Sequence, residues 1–100
     1  MTDFVRHGHG RRVLEAVSGA TGIPLERLCG RERCVTVVRP RQAAYRMIRE
    51  GGFSSTEIGR VVGDRDHSTV LHGIKRAEQL LKTDPEFANL YNACVARLER

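Results

Sequence analysis

Two segments with helical periodicity, joined by a turn of about four residues, constrain the fold of this chain more than any other feature. The first covers residues 55–62, and the second runs from residue 66 or 67 to residue 82. Gly63 in the connection favours a sharp turn, because glycine adopts backbone conformations that other residues avoid. Two helices joined this closely are expected to pack on each other through apolar faces that contain Ile58, Val61, Val62, Val70, Leu71, Ile74, Ala77, Leu80 and Leu81.

Polar residues crowd the starts of both helices. Ser54 and Glu57 have the spacing of a capping box before the first helix. Asp66 has the position of an N-cap for the second helix, and capping is the favoured interpretation of that residue taken alone. His67 has no capping advantage, so we expect the end of the second helix to face something polar besides its own backbone.

In a helix-turn-helix motif, the polar partner of the second helix is DNA. The motif consists of two helices joined by a short turn that often contains glycine. Its second helix enters the major groove of DNA with its N-terminal residues against the base edges. Asp66, His67 and Ser68 would then lie at base edges, where a carboxylate accepts a hydrogen bond from cytosine N4. Arg65 would lie beside a phosphate or a guanine.

The charge of the chain is consistent with a nucleic-acid partner. The formal net charge is +5, and all but two of the 17 cationic side chains are arginines. Arginine binds phosphate and guanine in bidentate fashion, although an arginine-rich genome of high GC content would produce the same bias. Between residues 31 and 49 only Glu32 opposes a cluster that comprises Arg31, Arg33, Arg39, Arg41, Arg46 and Arg49. This cluster predicts either a flexible DNA-binding arm followed by a basic helix start, or a solvated charged face.

The middle of the chain predicts a basic loop followed by a helix. Residues 31–39 are basic and β-branched, but no second strand is available to pair with them, so a loop or a short extended segment is expected. Pro40 suits the first position of a helix, because its missing N–H has no partner there. Gly51 and Gly52 are expected to end this helix.

The two ends of the chain complete a prediction of five or six helices and no sheet. Residues 1–10 are expected to form a flexible leader, followed by an amphipathic helix over residues 10–18 and a short helix within residues 24–30. Asp84 is expected to cap a last helix that begins at Pro85. The apolar face of that helix comprises Phe87, Leu90, Tyr91, Cys94, Val95 and Leu98.

Several classes of function lack support in the sequence. His7, His9, Cys29 and Cys34 match no zinc-binding spacing, so no metal ligand and no cofactor are predicted. No nucleophile, base or carboxylate pair has supporting context, so the chain is not expected to be an enzyme. An odd number of dispersed cysteines and the lack of a long apolar run predict a reduced, cytoplasmic and nucleoid-associated protein without membrane contact.

Two segments carry a family resemblance. RPRQAAYRMIRE (residues 39–50) and EIGRVVGDRDHSTVLHGIKR (residues 57–76) closely resemble the C-terminal DNA-binding domain, domain IV, of the DnaA family of bacterial replication initiators. The upstream segment VLEAVSGATGIPLERLCG is similar to the first two helices of that domain. The resemblance covers roughly residues 11–98. It implies an all-α, Trp-repressor-like domain over residues 11–100, built around a helix-turn-helix.

The resemblance also implies three groups of DNA-contacting residues. Those for the major groove are Arg65, Asp66, His67, Ser68 and Thr69. Those for the minor groove are Arg33 and, as a possible substitute, Arg31. Those for the phosphate backbone are Arg41, Gln42 and Arg49. The implied function is sequence-specific binding of double-stranded DNA at DnaA-box-like sites, in replication initiation or its regulation.

The sequence departs from the family pattern at several positions. Ser68 replaces the commoner threonine, which removes a methyl group that could pack on a thymine methyl. Asp64 stands where a second glycine is usual, and the segment 51–53 is about one residue short. The 100 residues of the sequence also contain no G-x-x-x-x-G-K-[ST] segment, so no nucleotide is expected to bind.

Several alternatives remain open at this point. The start MTDFVRHGHG favours a free-standing small protein, which would compete with a full-length initiator for sites, over a domain excised from one. A transcriptional or phage regulator with a diverged operator is a second possibility. An interaction module that uses the apolar face of the last helix is a third. RNA binding has less support, because the aromatic residues that stack on bases are scarce.

Overall fold

Six α-helices make up the described part of the chain, which comprises the backbone of residues 2–99 and the side chains of residues 8–99 in a computed structural model. They are α1 (Thr2–Thr21), α2 (Leu25–Leu28), α3 (Val35–Glu50), α4 (Ser55–Val61), α5 (His67–Thr83) and α6 (Pro85–Leu98). No strand occurs within these ranges. The prediction of an all-α fold with five or six helices is confirmed.

Helix α3 lies at the centre of the fold, where it packs against every other helix. Helices α1 and α6 pack on each other, and α5 packs on α3, α4 and α6. The fully buried side chains include Val13, Val17, Leu28, Val37, Ile48, Ile58, Val62, Val70 and Cys94. None of the helices in the described ranges combines the length and the apolar character that a bilayer crossing requires.

The apolar face of α6 belongs to the core. Phe87, Tyr91 and Cys94 are buried, and Leu90 is partly buried against the same cluster. Asp84 caps the helix, with its Oδ1 accepting the N–H groups of Glu86 and Phe87. The alternative in which this face docks a partner therefore loses its basis, because the face is already covered.

Helix α1 begins earlier than the sequence predicts. Residues 2–9, expected to be an irregular leader, belong to the helix. The ring of His9 stacks on Phe53 with the centroids 5.4 Å apart, and a Cβ on Gly10 would lie 2.8 Å from a methyl carbon of Val61. Gly10 thus allows a close approach to α4 and does not end the helix. Met1 and the side chains of residues 2–7 lie outside the described part, and a domain boundary at residue 10 stays a prediction.

Helix α3 also begins earlier than predicted. Residues 35–39 form its first turn, so the expected loop over residues 31–39 shrinks to its first four residues and Pro40 lies inside the helix. Pro40 cannot donate a hydrogen bond to the carbonyl of Thr36, but Thr36 is exposed and water can take that place. Burial of Val37 and Pro40 against the core offsets this missing bond. The helix ends at Gly51 as predicted.

The predicted capping box at the start of α4 is confirmed, because Ser54 Oγ accepts the Glu57 N–H at 3.1 Å and Glu57 Oε1 accepts the Ser54 N–H at 2.9 Å.

The turn between α4 and α5 contains two successive residues with left-handed backbone, Gly63 (φ 76°) and Asp64 (φ 62°). The turn closes when the Arg65 N–H donates to the Gly59 carbonyl at 2.8 Å. The glycine usual at position 64 is explained by this geometry.

Asp64→Gly should stabilise the fold. A left-handed conformation costs an L-residue roughly 1–2 kcal/mol, Asp is among the more tolerant types, and the extra flexibility of unfolded glycine cancels part of the gain. We expect the free energy of unfolding, measured in urea by circular dichroism, to rise by up to about 1 kcal/mol. Asp64→Ala should lower it, since alanine tolerates this conformation less well than Asp. Equal losses in the two variants would contradict this account.

Candidate nucleic-acid interface

The N-terminus of α5 is capped by Asp66. Its Oδ2 accepts the Ser68 N–H at 3.0 Å, which confirms the predicted capping role. Its Oδ1 lies 3.8 Å from Nδ1 of His67, too far for a hydrogen bond, and the Asp66 side chain remains 67% exposed. One carboxylate oxygen is therefore used in the cap, while the other remains accessible to an external donor.

The first three residues of α5 all present their side chains to solvent. His67, Ser68 and Thr69 are exposed, whereas the next residue, Val70, is completely buried. The His67 side chain is 58% exposed, and among the side chains of residues 8–99 its only ion-pair partner is the neighbouring Asp66. The start of α5 thus exposes more donors and acceptors than the cap uses. This agrees with the expectation that it faces a polar partner.

Leu71 is a correction to the predicted core. The sequence places it on the buried face of α5, but it is 38% exposed, while Val70, Ile74, Ala77 and Leu80 carry the packing. Leu71 lies four residues after His67 and three after Ser68, so all three share one face of the helix. His72, which the sequence analysis did not single out, is exposed one turn after Ser68.

The basic loop (residues 29–34) connects α2 to α3 and carries two exposed arginines, Arg31 and Arg33. Its single carboxylate, Glu32, pairs with Arg27 of α2 through two hydrogen bonds of 2.8 and 2.9 Å. This bonding to Arg27 lowers the pKa of the Glu32 carboxyl. Because Glu32 is paired with Arg27, it does not pair with Arg31 or Arg33, and their charges face solvent.

Arg41 and Gln42, which the resemblance predicts to contact phosphates, are both buried in the structure. Arg41 is only 7% exposed and donates to the carbonyl oxygens of Leu28 (2.7 Å), Glu32 (2.9 Å) and Arg27 (3.2 Å). Burial, followed by the nearby charge of Arg65, lowers its pKa. Gln42 is 8% exposed and its side-chain oxygen accepts a hydrogen bond from Arg39.

Arg49 and Arg65 differ from each other in exposure and in hydrogen bonding. Arg49 is exposed in the last turn of α3, beside the start of α4, where the resemblance places a phosphate contact. Arg65 is half-buried, and its Nη2 donates to the carbonyl oxygen of Gly30 in the basic loop. At least one donor of the Arg65 guanidinium is therefore engaged with the protein backbone.

A cleft of about 440 Å³ lies between the basic loop and the start of α5. It brings together residues that are distant in sequence, among them Arg31, Arg33, Arg41, Gln42, Arg65, Asp66, Thr69 and His72. The minor-groove candidates and part of the major-groove set thus border one depression. Among the described residues no cluster of His, Cys, Asp and Glu has the arrangement of a metal site.

The buried position of Arg41 generates a stability prediction. Arg41→Ala would leave the carbonyls of Leu28 and Glu32 without their donor, whereas the carbonyl of Arg27 keeps the Gly30 N–H at 3.1 Å. Hydrogen bonds to charged groups contribute about 1.5–3 kcal/mol each. We expect the free energy of unfolding in urea to fall by roughly 2–4 kcal/mol. Arg33→Ala, the exposed control, should change it by less than about 0.5 kcal/mol. Equal stability of the two variants would show that Arg41 does not hold the loop.

Comparison with known proteins places this geometry in a family. Residues 11–77 match the family described as "Bacterial dnaA protein helix-turn-helix". The chain is similar to the chromosomal replication initiator protein DnaA of Thermomicrobium roseum, at 41% identity over 87 residues that cover 86% of this chain and 19% of the relative. The corresponding protein of Acinetobacter baylyi is 39% identical over 88 residues, which cover 87% of this chain and 19% of that relative.

A third relative, the chromosomal replication initiator protein DnaA of Lachnoclostridium phytofermentans, is 33% identical over 87 residues, which cover 86% of this chain and 19% of the relative. The chain thus spans less than a fifth of the length of these curated relatives. The matched range 11–77 contains α4, the turn, the start of α5 and the basic loop. The chain belongs to the bacterial DnaA helix-turn-helix family.

Proposed function

We propose that this chain binds double-stranded DNA sequence-specifically, at sites similar to the DnaA box. The observation that carries the proposal is the cleft in which the exposed start of α5 and the exposed arginines of the basic loop meet. An α-helix fits the major groove, and an arginine-bearing loop fits the adjacent minor groove, so one face can contact both. The family membership and the names of the relatives support a role in replication initiation or its regulation.

In the major groove, the first residues of α5 would read the bases. The free oxygen of Asp66 can accept a hydrogen bond from cytosine N4, and His67 and Ser68 can donate to or accept from a base edge. Thr69 lies beside them. Leu71, which is 38% exposed, would contact a thymine methyl and so offset the methyl that Ser68 lacks.

In the minor groove and along the backbone, the exposed arginines would supply the charge. Arg33 would enter the minor groove, with Arg31 beside it, since narrow A·T tracts concentrate negative potential there. The sugar-phosphate strand that separates the two grooves would cross the cleft between the loop and α5. Arg49 remains the proposed phosphate contact of α3, whereas buried Arg41 would act through the position of the loop.

A duplex-selection experiment tests the proposal. From random duplexes the protein should enrich a DnaA-box-like sequence, and ATP or ADP should leave its affinity unchanged. In a footprinting assay it should then displace an intact initiator from the enriched site, because both would use the same reading residues. Enrichment of an unrelated sequence with a persistent initiator footprint would indicate a diverged operator and a transcriptional or phage role. Failure to enrich any duplex would refute the proposal.

Reading residues and holding residues should give different signatures. His67→Ala should cost roughly 1–3 kcal/mol on the enriched site and much less on random DNA, because it removes a base contact. Arg49→Ala should weaken binding to both about equally and reduce the steepness of log affinity against log salt by about 1. Arg12→Ala, an exposed arginine on α1, serves as the charge-matched control and should change neither. Identical effects of the first two variants would exclude α5 as the reading helix.

A further inference from the structure

We propose that Arg65 and Arg41 are positioning residues, which hold the basic loop at a fixed offset from the start of α5 so that the two grooves are read as one unit. This inference rests on the proposed DNA-binding function and assigns to these two residues a role other than direct DNA contact. It follows from where their guanidinium groups donate and from the close packing of backbone beneath them.

Arg65 connects the turn of the helix-turn-helix to the basic loop. It directly precedes the N-cap Asp66, and its Nη2 donates to the carbonyl oxygen of Gly30, 35 positions away in the sequence. Its Nε is buried and makes no hydrogen bond within the described residues. A guanidinium held in this way binds the loop to the turn, and its Nε–Nη2 edge is not free to form a bidentate pair with a guanine.

Backbone packing brings the turn and the loop into direct contact beneath Arg65. A Cβ on Gly63 would collide with the carbonyl oxygen of Cys29, and a Cβ on Gly59 would collide with the carbonyl oxygen of Arg65. The loop therefore rests on the turn with no side chain between them. Such close contact transmits a displacement of one segment to the other, since packed backbone cannot compress.

Arg41 holds the same loop from its other side. It projects from central helix α3 and donates to the carbonyls of Arg27, Leu28 and Glu32. Two arginines from two different elements thus hold four carbonyls between residues 27 and 32. Arg31 and Arg33 remain exposed on a loop whose backbone is anchored at both ends.

The anchoring has a consequence for binding energy. A loop already ordered in the free protein avoids the entropic cost of ordering when Arg33 enters the groove. If the loop is released from the turn, ordering it on binding costs conformational entropy, and Arg33 contributes less to affinity. Loss of Arg65 should therefore weaken the contribution of Arg33, although Arg65 itself touches no phosphate and its loss should leave the salt dependence unchanged.

The first test uses the free protein, so its outcome does not depend on DNA. Cys34 is the exposed thiol of the loop, Cys94 is buried, and Cys29→Ala removes the half-buried one. A fluorophore on Cys34 reports loop mobility through its anisotropy. Arg65→Met keeps the apolar stem but removes the donor and should lower the anisotropy, whereas Arg65→Lys keeps a donor and should restore it. Arg12→Ala should have no effect. Unchanged anisotropy in Arg65→Met would refute the anchoring.

The second test is a double-mutant cycle on the enriched duplex. Arg33→Ala should weaken binding about tenfold in the native background but by less than about twofold in the Arg65→Met background. Arg65→Lys should restore most of the tenfold effect, and the salt slope of Arg65→Met should equal that of the native protein. The same factor in both backgrounds would show that Arg33 and Arg65 are not coupled, and a salt slope reduced by about 1 would show that Arg65 contacts DNA directly. Either result would overturn the inference. Absence of specific binding by the native protein would instead refute the proposed function and leave the anisotropy result in place.

Discussion

The carbonyl groups between residues 27 and 32 are the constraint on which the side of the domain proposed to face DNA depends. The segment has neither a long helix nor a strand to pair these groups, and unpaired buried carbonyls are costly. Arg41 and Arg65 supply donors to the carbonyls of Leu28, Gly30 and Glu32 from α3 and from the turn before α5, and Arg41 adds a second donor to the carbonyl of Arg27. The same hydrogen bonds that satisfy the loop also set where it lies, so the stability of the fold and the geometry of the interface have one physical origin.

Helical periodicity was sufficient to predict most of the fold, and its errors have local physical causes. The pattern of buried residues in α1, α4, α5 and α6, and the caps at Ser54, Asp66 and Asp84, all follow from residue types at helical spacing. The errors in the helix bounds fall near Gly10 and Pro40, residue types that usually interrupt helices. At both positions a tertiary contact decided the outcome: Gly10 fits against Val61, and Pro40 is buried beside Val37. No local pattern in the sequence reports such contacts.

The candidate site divides in the same way. Exposure of His67, Ser68 and Thr69 was predictable, because capping alone did not account for so many polar groups at one helix end. Which arginines face solvent was not predictable, since Arg41 and Arg49 have the same side chain on the same helix and differ only in what packs above them. The exposure of Leu71 was also not predictable from periodicity, because Leu71 directly follows fully buried Val70 on α5 and both are apolar.

The anchored loop changes how the two grooves are expected to contribute to recognition. A flexible arginine arm can adapt to many groove widths and pays for each by losing conformational entropy. In the proposed mode of binding, a loop fixed to the turn by Arg65 would present Arg33 at one distance from His67 and would favour DNA whose minor groove lies at that distance. Since groove position and width depend on base sequence, such a rigid offset adds selectivity at base pairs that no side chain touches. Discrimination by this domain is then a property of the loop and helix together, beyond the sum of their separate contacts.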